Sequence, residues 1–83
     1  MLEELKNDNL ADELKNNEKV IVQYGANWCG VCKIVKPKFS KLAQETNGVK
    51  FLYVDAEENP NSRDFAQIDN LPTFAGFVDG KLV

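Results

Sequence analysis

The run Val20-Ile21-Val22-Gln23-Tyr24 constrains the fold of this chain most strongly, because it is apolar and β-branched at almost every position. A strand of this composition, without polar alternation, is typical of a parallel sheet that is covered on both faces. Further apolar runs occupy residues 49–54 and 73–78, and helical patterns separate them. The alternation predicts an α/β domain with a central β-sheet flanked by helices.

Local signals place the helices and turns between these strands. An Asn precedes each of two short helical stretches as a candidate N-cap, and the second has Pro at its first helical position. Asp79-Gly80 predicts a two-residue hairpin, which returns the chain antiparallel and makes the sheet mixed. Leu2 and Leu5 suggest a first short strand or a frayed turn. The predicted helices are 10–16, 29–46 and 60–67, and the predicted order is β–α–β–α–β–α–β–β.

The long helix has apolar positions spaced three and four residues apart, which predicts one buried face. Pro37 lies inside this helix, where it removes one hydrogen bond and crowds the carbonyl of Lys33, so we expect a kink there. The predicted buried positions are Cys32, Val35, Phe39, Leu42 and Thr46.

Composition limits the classes of function. The chain has 83 residues, of which 43% are hydrophobic and 28% charged, and this is typical of one globular domain spanning 1–83. A net charge of −3 gives no reason to expect nucleic acid as a partner. No stretch approaches the roughly 20 apolar residues of a membrane span. Because the first residues show no basic end followed by an apolar run, we expect a cytoplasmic protein.

The two cysteines, Cys29 and Cys32, are the main candidates for chemistry. A Cys-x-x-Cys pair is either half of a zinc site or a redox dithiol. Zinc needs two further ligands, and the chain has no other Cys and no His, so only a dimer sharing two pairs supplies four thiolates. The pair also opens a helix directly after a buried strand, where the helix dipole favours a thiolate at Cys29. A redox dithiol is therefore the favoured interpretation, with no metal and no cofactor.

Thiol chemistry assigns the two sulfurs different roles. Cys29, nearer the helix end, attacks a substrate disulfide, and Cys32, one turn further in, resolves the mixed disulfide. Lys33 and Lys36 fit a solvated helix surface better than a positive field beside the thiol, because solvent screens their charges.

Several landmarks resemble the thioredoxin family. Trp28-Cys29-Gly30-Val31-Cys32-Lys33 resembles its active-site run, Pro37 falls where the family has a helix-kinking proline, and Leu71-Pro72-Thr73 resembles its cis-proline loop. Together with the hairpin, these landmarks extend the resemblance over residues 9–83.

The resemblance implies a thioredoxin-like fold and a protein-disulfide reductase that is recharged by a thioredoxin reductase or an equivalent electron donor. It implies that Pro72 is cis and that Trp28, Gly30, Val31, Leu71 and Pro72 contact the substrate. A disulfide oxidase or isomerase, a binding platform with weak catalysis, and a redox sensor that changes its oligomeric state remain open alternatives.

Three departures from the family pattern modify these expectations. Gln23 stands where the family has a buried Asp that exchanges a proton with the second cysteine, and Phe51 replaces the Lys that pairs with that Asp. An amide does not titrate, so a slower or differently pH-dependent resolution step is expected. Val31 replaces a proline and restores an N–H, which is expected to reach the Cys29 sulfur and make the disulfide more oxidising.

The third departure is the absence of the family's final helix after the hairpin. We expect residues such as Ile21, Leu52 or Phe74 to be left partly exposed on the sheet. A monomer is expected, with a dimer over the uncovered sheet face as the other possibility.

Overall fold

A computed structural model describes all residues from Met1 to Val83 and contains the predicted element order. The first predicted helix, the predicted strand at 73–78 and the hairpin lie where the sequence placed them, and the other elements differ by a few residues at their ends. The elements are β1 Leu2–Glu4, α1 Leu10–Asn16, β2 Lys19–Gly25, α2 Gly30–Glu45, β3 Lys50–Asp55, α3 Pro60–Arg63, β4 Thr73–Val78 and β5 Lys81–Leu82.

The five strands form one mixed sheet in the order β1-β3-β2-β4-β5. β1, β3 and β2 are parallel, whereas β4 is antiparallel to β2 and β5 is antiparallel to β4. Asp79 and Gly80 both have positive φ, at 52° and 81°, which is the conformation of the predicted two-residue hairpin turn. The central strand β2 is thus paired along both edges, and its carboxyl end leads directly into the cysteine motif.

Helices cover the two faces of the sheet. Side chains that alternate along β2, such as Val20, Val22 and Tyr24, enter the larger core together with Leu10 and Leu14 of α1. On the opposite face, Phe39 and Ala43 of α2 pack against Phe51 of β3. α2 is therefore fixed by its own small aromatic cluster.

The structure corrects three positions of the predicted α2 face, because Val35 and Thr46 are only partly buried and Leu42 is exposed. Leu42 is 49% exposed, and Ala43 is buried in its place. A straight helix advances by 100° per residue, so the buried stripe follows Cys32, Phe39 and Ala43 rather than Leu42. The helix continues through Pro37, and the predicted kink remains a prediction.

The uncovered part of the sheet also differs from the expectation. Phe74 is 47% exposed and Ile21 is partly exposed, as expected, but Leu52 is buried. Because successive residues of a strand point to opposite faces, Leu52 enters the core on the α1 side, whereas Ile21 and Phe74 belong to the α2 side.

α3 is shorter than predicted because the backbone changes its hydrogen-bonding pattern after Arg63. The amides of Phe65 and Ala66 donate to carbonyls three residues earlier, which forms turns rather than an α-helix. The Arg63 guanidinium then donates to the carbonyl of Ile68, which holds the following loop.

Asp8 links the start of the chain to α3. Its carboxylate accepts from the backbone amides of Asn61 and Ser62, at 3.1 and 2.7 Å, and in return the Ser62 hydroxyl accepts from the amide of Leu10. Desolvation works to raise the pKa of Asp8, but the hydrogen bonds from Ser62 and Asn61 outweigh it, so the pKa lies below its ordinary value of 3.8.

We predict that Asp8→Asn reduces the loss of unfolding free energy that occurs when the pH is lowered. A carboxyl whose pKa is depressed on folding stabilises the fold above its unfolded-state pKa, and this contribution is lost as the pH falls through the folded-state pKa. Urea unfolding at neutral pH and at about pH 3 should therefore show a smaller stability difference in Asp8→Asn than in the wild type. Glu58→Gln, an exposed acid without a side-chain partner, is the matched control. An unchanged difference in Asp8→Asn contradicts the assignment.

No helix is both long and apolar enough to cross a bilayer.

Candidate active site

The two cysteines lie at the end of the central strand, where the chain turns into α2. Cys29 is the N-cap residue of α2, with extended backbone angles, and Cys32 lies in the first turn of the helix. The two residues form a disulfide, with their Cα atoms 5.3 Å apart, inside the usual range for a disulfide. The expected contact between the sulfurs across one helical turn is therefore present.

The Cys29 sulfur receives a backbone hydrogen bond from the start of the helix. The N–H of Cys32 donates to Cys29 Sγ at 3.1 Å, in the way that a side-chain N-cap accepts from the third helical residue. The sequence assigned this donor to Val31, and that assignment is wrong in this structure. The donor to the capping sulfur is the backbone N–H of Cys32.

Burial differs between the two cysteines and their neighbours. Cys29 is 6% exposed and Cys32 is 1% exposed, so the first sulfur is the more accessible of a largely buried pair. Trp28 and Val31 flank them and are strongly exposed. Gly30 is exposed as well, and a Cβ added to it would meet no atom within 4 Å. The disulfide therefore lies at an open surface that another chain can approach.

The loop before β4 lies beside the disulfide. The Leu71–Pro72 peptide bond is cis, as the resemblance implied. Leu71 packs against the small cluster of Ala26, Cys29 and Cys32, which brings this loop to the cysteines from a distant part of the chain. Pro72 is half-buried next to it.

An open cleft of about 280 Å³ lies between the exposed indole of Trp28 and the loop that ends at Leu71. Its rim combines the apolar side chains of Trp28, Ile68 and Leu71 with three charged residues, Glu57, Arg63 and Asp69. Trp28 and the cis-proline loop are therefore the two sides of one surface depression.

Gln23 is fully buried on the α2 side of the sheet, directly behind the cysteines. Its Nε2 donates to the carbonyl oxygen of Cys32 at 3.3 Å, whereas its Oε1 has no hydrogen-bond partner. Phe51 lies on the same side but belongs to the aromatic cluster with Phe39, with ring centroids 5.1 Å apart. The site therefore contains a non-titratable amide and an aromatic ring at these two positions, as the sequence indicates.

The basic residues of α2 have different surroundings. Lys33 is exposed and forms no ion pair, which agrees with a solvated helix surface. Lys36 lies over the ring of Tyr53, 4.1 Å from its centroid, and is 3.4 Å from Glu4. Lys36 therefore attaches α2 to the edge of the sheet.

Tyr53 also belongs to this region, although it was not among the predicted site residues. Its side chain is so close to Gly25 that a Cβ there would lie 2.9 Å from Tyr53 Cε2, and Gly25 begins the turn toward the cysteines. Burial, with the negative charges of Asp55 and Glu4, raises the pKa of Tyr53. The available signal was the glycine at the end of an otherwise bulky strand, which marks a close approach.

The structure contains no group of three or more metal-binding side chains.

A family model described as Thioredoxin matches residues 1–83. Thioredoxin from Mycoplasma pneumoniae is 37% identical over 82 residues, which is 98% of this chain and 80% of that protein. Mitochondrial thioredoxin-3 from Saccharomyces cerevisiae is 34% identical over 70 residues, which is 84% of this chain and 55% of that protein.

A solved structure shares the fold. The crystal structure of oxidised mitochondrial thioredoxin 3 from Saccharomyces cerevisiae has a TM-score of 0.87 and 30% identity, covering 99% of this chain and 78% of that one. The chain thus spans 55% of the length of the curated thioredoxin from yeast mitochondria and 80% of the one from Mycoplasma pneumoniae.

Proposed function

This chain belongs to the thioredoxin family, and we propose that it is a thiol–disulfide oxidoreductase that reduces protein disulfides through Cys29 and Cys32. The observation that carries the proposal is the disulfide at the start of α2, with Cys29 Sγ capping the helix. A sulfur in this position is stabilised as a thiolate by the backbone N–H of Cys32 and by the helix dipole.

In the first step the thiolate of Cys29 attacks one sulfur of a substrate disulfide. A bond forms between Cys29 and that sulfur, the substrate S–S bond breaks, and the second substrate sulfur leaves as a thiolate that takes a proton from solvent. The product is a mixed disulfide, and Cys32 remains a buried thiol one helical turn away.

In the second step Cys32 attacks the sulfur of Cys29. The new Cys29–Cys32 bond replaces the mixed disulfide, and the released substrate sulfur carries away the proton that Cys32 loses. The substrate has gained two electrons and the protein has lost two. An external electron donor, such as a thioredoxin reductase, must return them.

The surface around the disulfide is assigned to substrate binding. The exposed Trp28 and Val31 offer apolar contact, and Gly30 offers no side chain to obstruct an approaching strand. Leu71 and Pro72 form the opposite side, where the backbone beside the cis bond pairs with an extended substrate segment. Pro37 and Lys33 act only as parts of the supporting helix.

The proposal also covers the compartment and the oligomeric state of the protein. A dithiol that is recharged by a reductase needs a reducing compartment, so we place the protein in the cytoplasm and treat it as a monomer. Sedimentation of the oxidised and the reduced protein measures its molecular mass in solution and so tests whether it is a monomer. The mass of a dimer would contradict the monomer and would favour a second copy bound over the partly exposed Phe74 face.

Insulin reduction tests the function directly. With dithiothreitol as electron donor, the wild-type chain should accelerate precipitation of the insulin B chain well above the rate with dithiothreitol alone. A variant with both Cys29→Ser and Cys32→Ser should not. Equal rates for the two proteins would overturn the proposal.

A binding platform is the second candidate, and the buried Gln23 favours it because no titratable group lies there to move a proton. A platform should bind extended peptides at the Trp28 surface equally well with and without the two cysteines, and it should not reduce insulin.

A further inference from the structure

Gln23 Oε1 is the one buried side-chain oxygen or nitrogen in this protein without a hydrogen-bond partner. Leaving such an acceptor unpaired in the interior costs free energy, and nearly all buried polar groups avoid it. The residue is fully buried at the middle of the central strand, so solvent does not reach it. The unpaired oxygen therefore requires an explanation in this redox form.

The orientation of the amide follows from its neighbour. The group facing Gln23 at 3.3 Å is the carbonyl oxygen of Cys32, which only accepts hydrogen bonds. Turning the amide over would bring two acceptors together, so Nε2 faces the carbonyl and Oε1 is left as an acceptor. Nε2 thus contacts the backbone of Cys32, and Oε1 lies buried on the same planar amide without a partner.

Reduction adds a hydrogen-bond donor at this place. The disulfide between Cys29 and Cys32 has no S–H, but the dithiol form carries one on Cys32, which is 1% exposed and so has no bulk solvent as an acceptor. We infer that Gln23 is a positioning residue whose Oε1 accepts the S–H of Cys32 in the reduced protein, directly or through one water. The inference rests on the proposed function, since it concerns the same dithiol.

Two consequences follow for the exchange reaction. The reduced form satisfies an acceptor that the oxidised form leaves unpaired, so Gln23 shifts the equilibrium toward the dithiol. The amide oxygen accepts a hydrogen bond from the Cys32 thiol but is not protonated by it. In the resolving step the Cys32 proton therefore passes to the departing substrate sulfur. The pH profile of this step is therefore set by the thiols alone.

Gln23→Met tests the equilibrium, because Met has a similar shape and cannot form these hydrogen bonds. The equilibrium constant for oxidation by glutathione disulfide should rise about tenfold, which is a reduction potential about 30 mV more negative. Loss of the hydrogen bond to the Cys32 carbonyl affects both redox forms and cancels from this measurement.

Gln23→Glu is the rescue variant. A protonated carboxyl has an O–H for the Cys32 carbonyl and a C=O for the Cys32 thiol, so on the acidic side of its titration it should restore the wild-type equilibrium to within about twofold. As the carboxyl ionises, the resolving step should acquire an inflection with pH that the wild type lacks.

Val22→Ala is the matched control. Val22 is adjacent on the same strand and fully buried, but it points to the opposite core, so its truncation should destabilise both redox forms without changing the equilibrium constant. If Gln23→Met leaves the equilibrium within the spread of this control, the inference is wrong.

A measurement on the wild type keeps the test independent of variant folding. The side-chain carbonyl carbon of Gln23 should shift in the NMR spectrum between the oxidised and reduced protein in the direction of hydrogen bonding. An unchanged resonance overturns the inference. Insulin reduction by the wild type is unaffected by either result, so failure of this inference is distinct from failure of the proposed function.

Discussion

Cys29→Ser should reduce insulin no faster than the electron donor alone, whereas Cys32→Ser should complete the first step and stop there. Serine at the helix start keeps an N-capping oxygen for the N–H of Cys32, so the fold is retained while the nucleophile is lost. Without the second sulfur, Cys29 still attacks, but the mixed disulfide has no internal thiol to resolve it. Mass spectrometry of each variant after exposure to a disulfide substrate should find a covalent adduct only with Cys32→Ser.

Each of these two variants is the matched control for the other, because each removes one sulfur from the same helical turn. An adduct that forms on Cys32 in the Cys29→Ser protein at a similar rate would reverse the assigned roles. Activity near the wild-type level in Cys29→Ser would remove dithiol exchange from the account altogether.

Phe39→Ala should lower the free energy of unfolding by about 3–5 kcal/mol. Phe39 is 6% exposed and contacts both Phe51 and Phe74, with ring centroids 5.1 and 5.2 Å away. Its truncation removes the central member of the cluster that holds α2 on the sheet, and such a loss is a large part of the stability of a small domain. Urea denaturation followed by circular dichroism measures the change.

Leu42→Ala is the matched control on the same helix. Because Leu42 is 49% exposed, its truncation should cost no more than about 1 kcal/mol. A cost for Leu42→Ala as large as for Phe39→Ala would mean that the exposed side of α2 is covered in solution, and the described packing of α2 would be incomplete.

The strands were predictable because their signal is local and strong. The apolar run around Val22 indicates a strand that is covered on both faces, regardless of which strands pair with it. The strand Thr73–Val78 ends at a hairpin turn whose two residues adopt positive φ. The end of α3 was not predictable. It depends on turns formed by the amides of Phe65 and Ala66 and on the hydrogen bond from the Arg63 side chain to the Ile68 carbonyl, and composition does not encode such contacts.

In the active site, the cysteine chemistry was predictable and the donors were not. Spacing and position at a helix start assign Cys29 and Cys32, but which backbone N–H reaches Cys29 Sγ depends on the geometry of one turn. The burial of Ala43 instead of Leu42 was also beyond sequence prediction. A spacing of three or four residues locates the buried face of a helix only to within one residue. The contact of Leu71 with the cysteines was available from the family resemblance alone.

The central claim is that the sulfur at the start of α2 ionises readily and exchanges with its neighbour one turn away. Alkylation of the reduced wild type across a pH series, with each cysteine quantified by mass spectrometry, tests this claim most directly. Cys29 should be modified first and should remain reactive well below about pH 8.5, where a free thiol becomes protonated, while Cys32 reacts slowly throughout. Equal rates at the two cysteines, or a loss of Cys29 reactivity at the pH of an ordinary thiol, would contradict it.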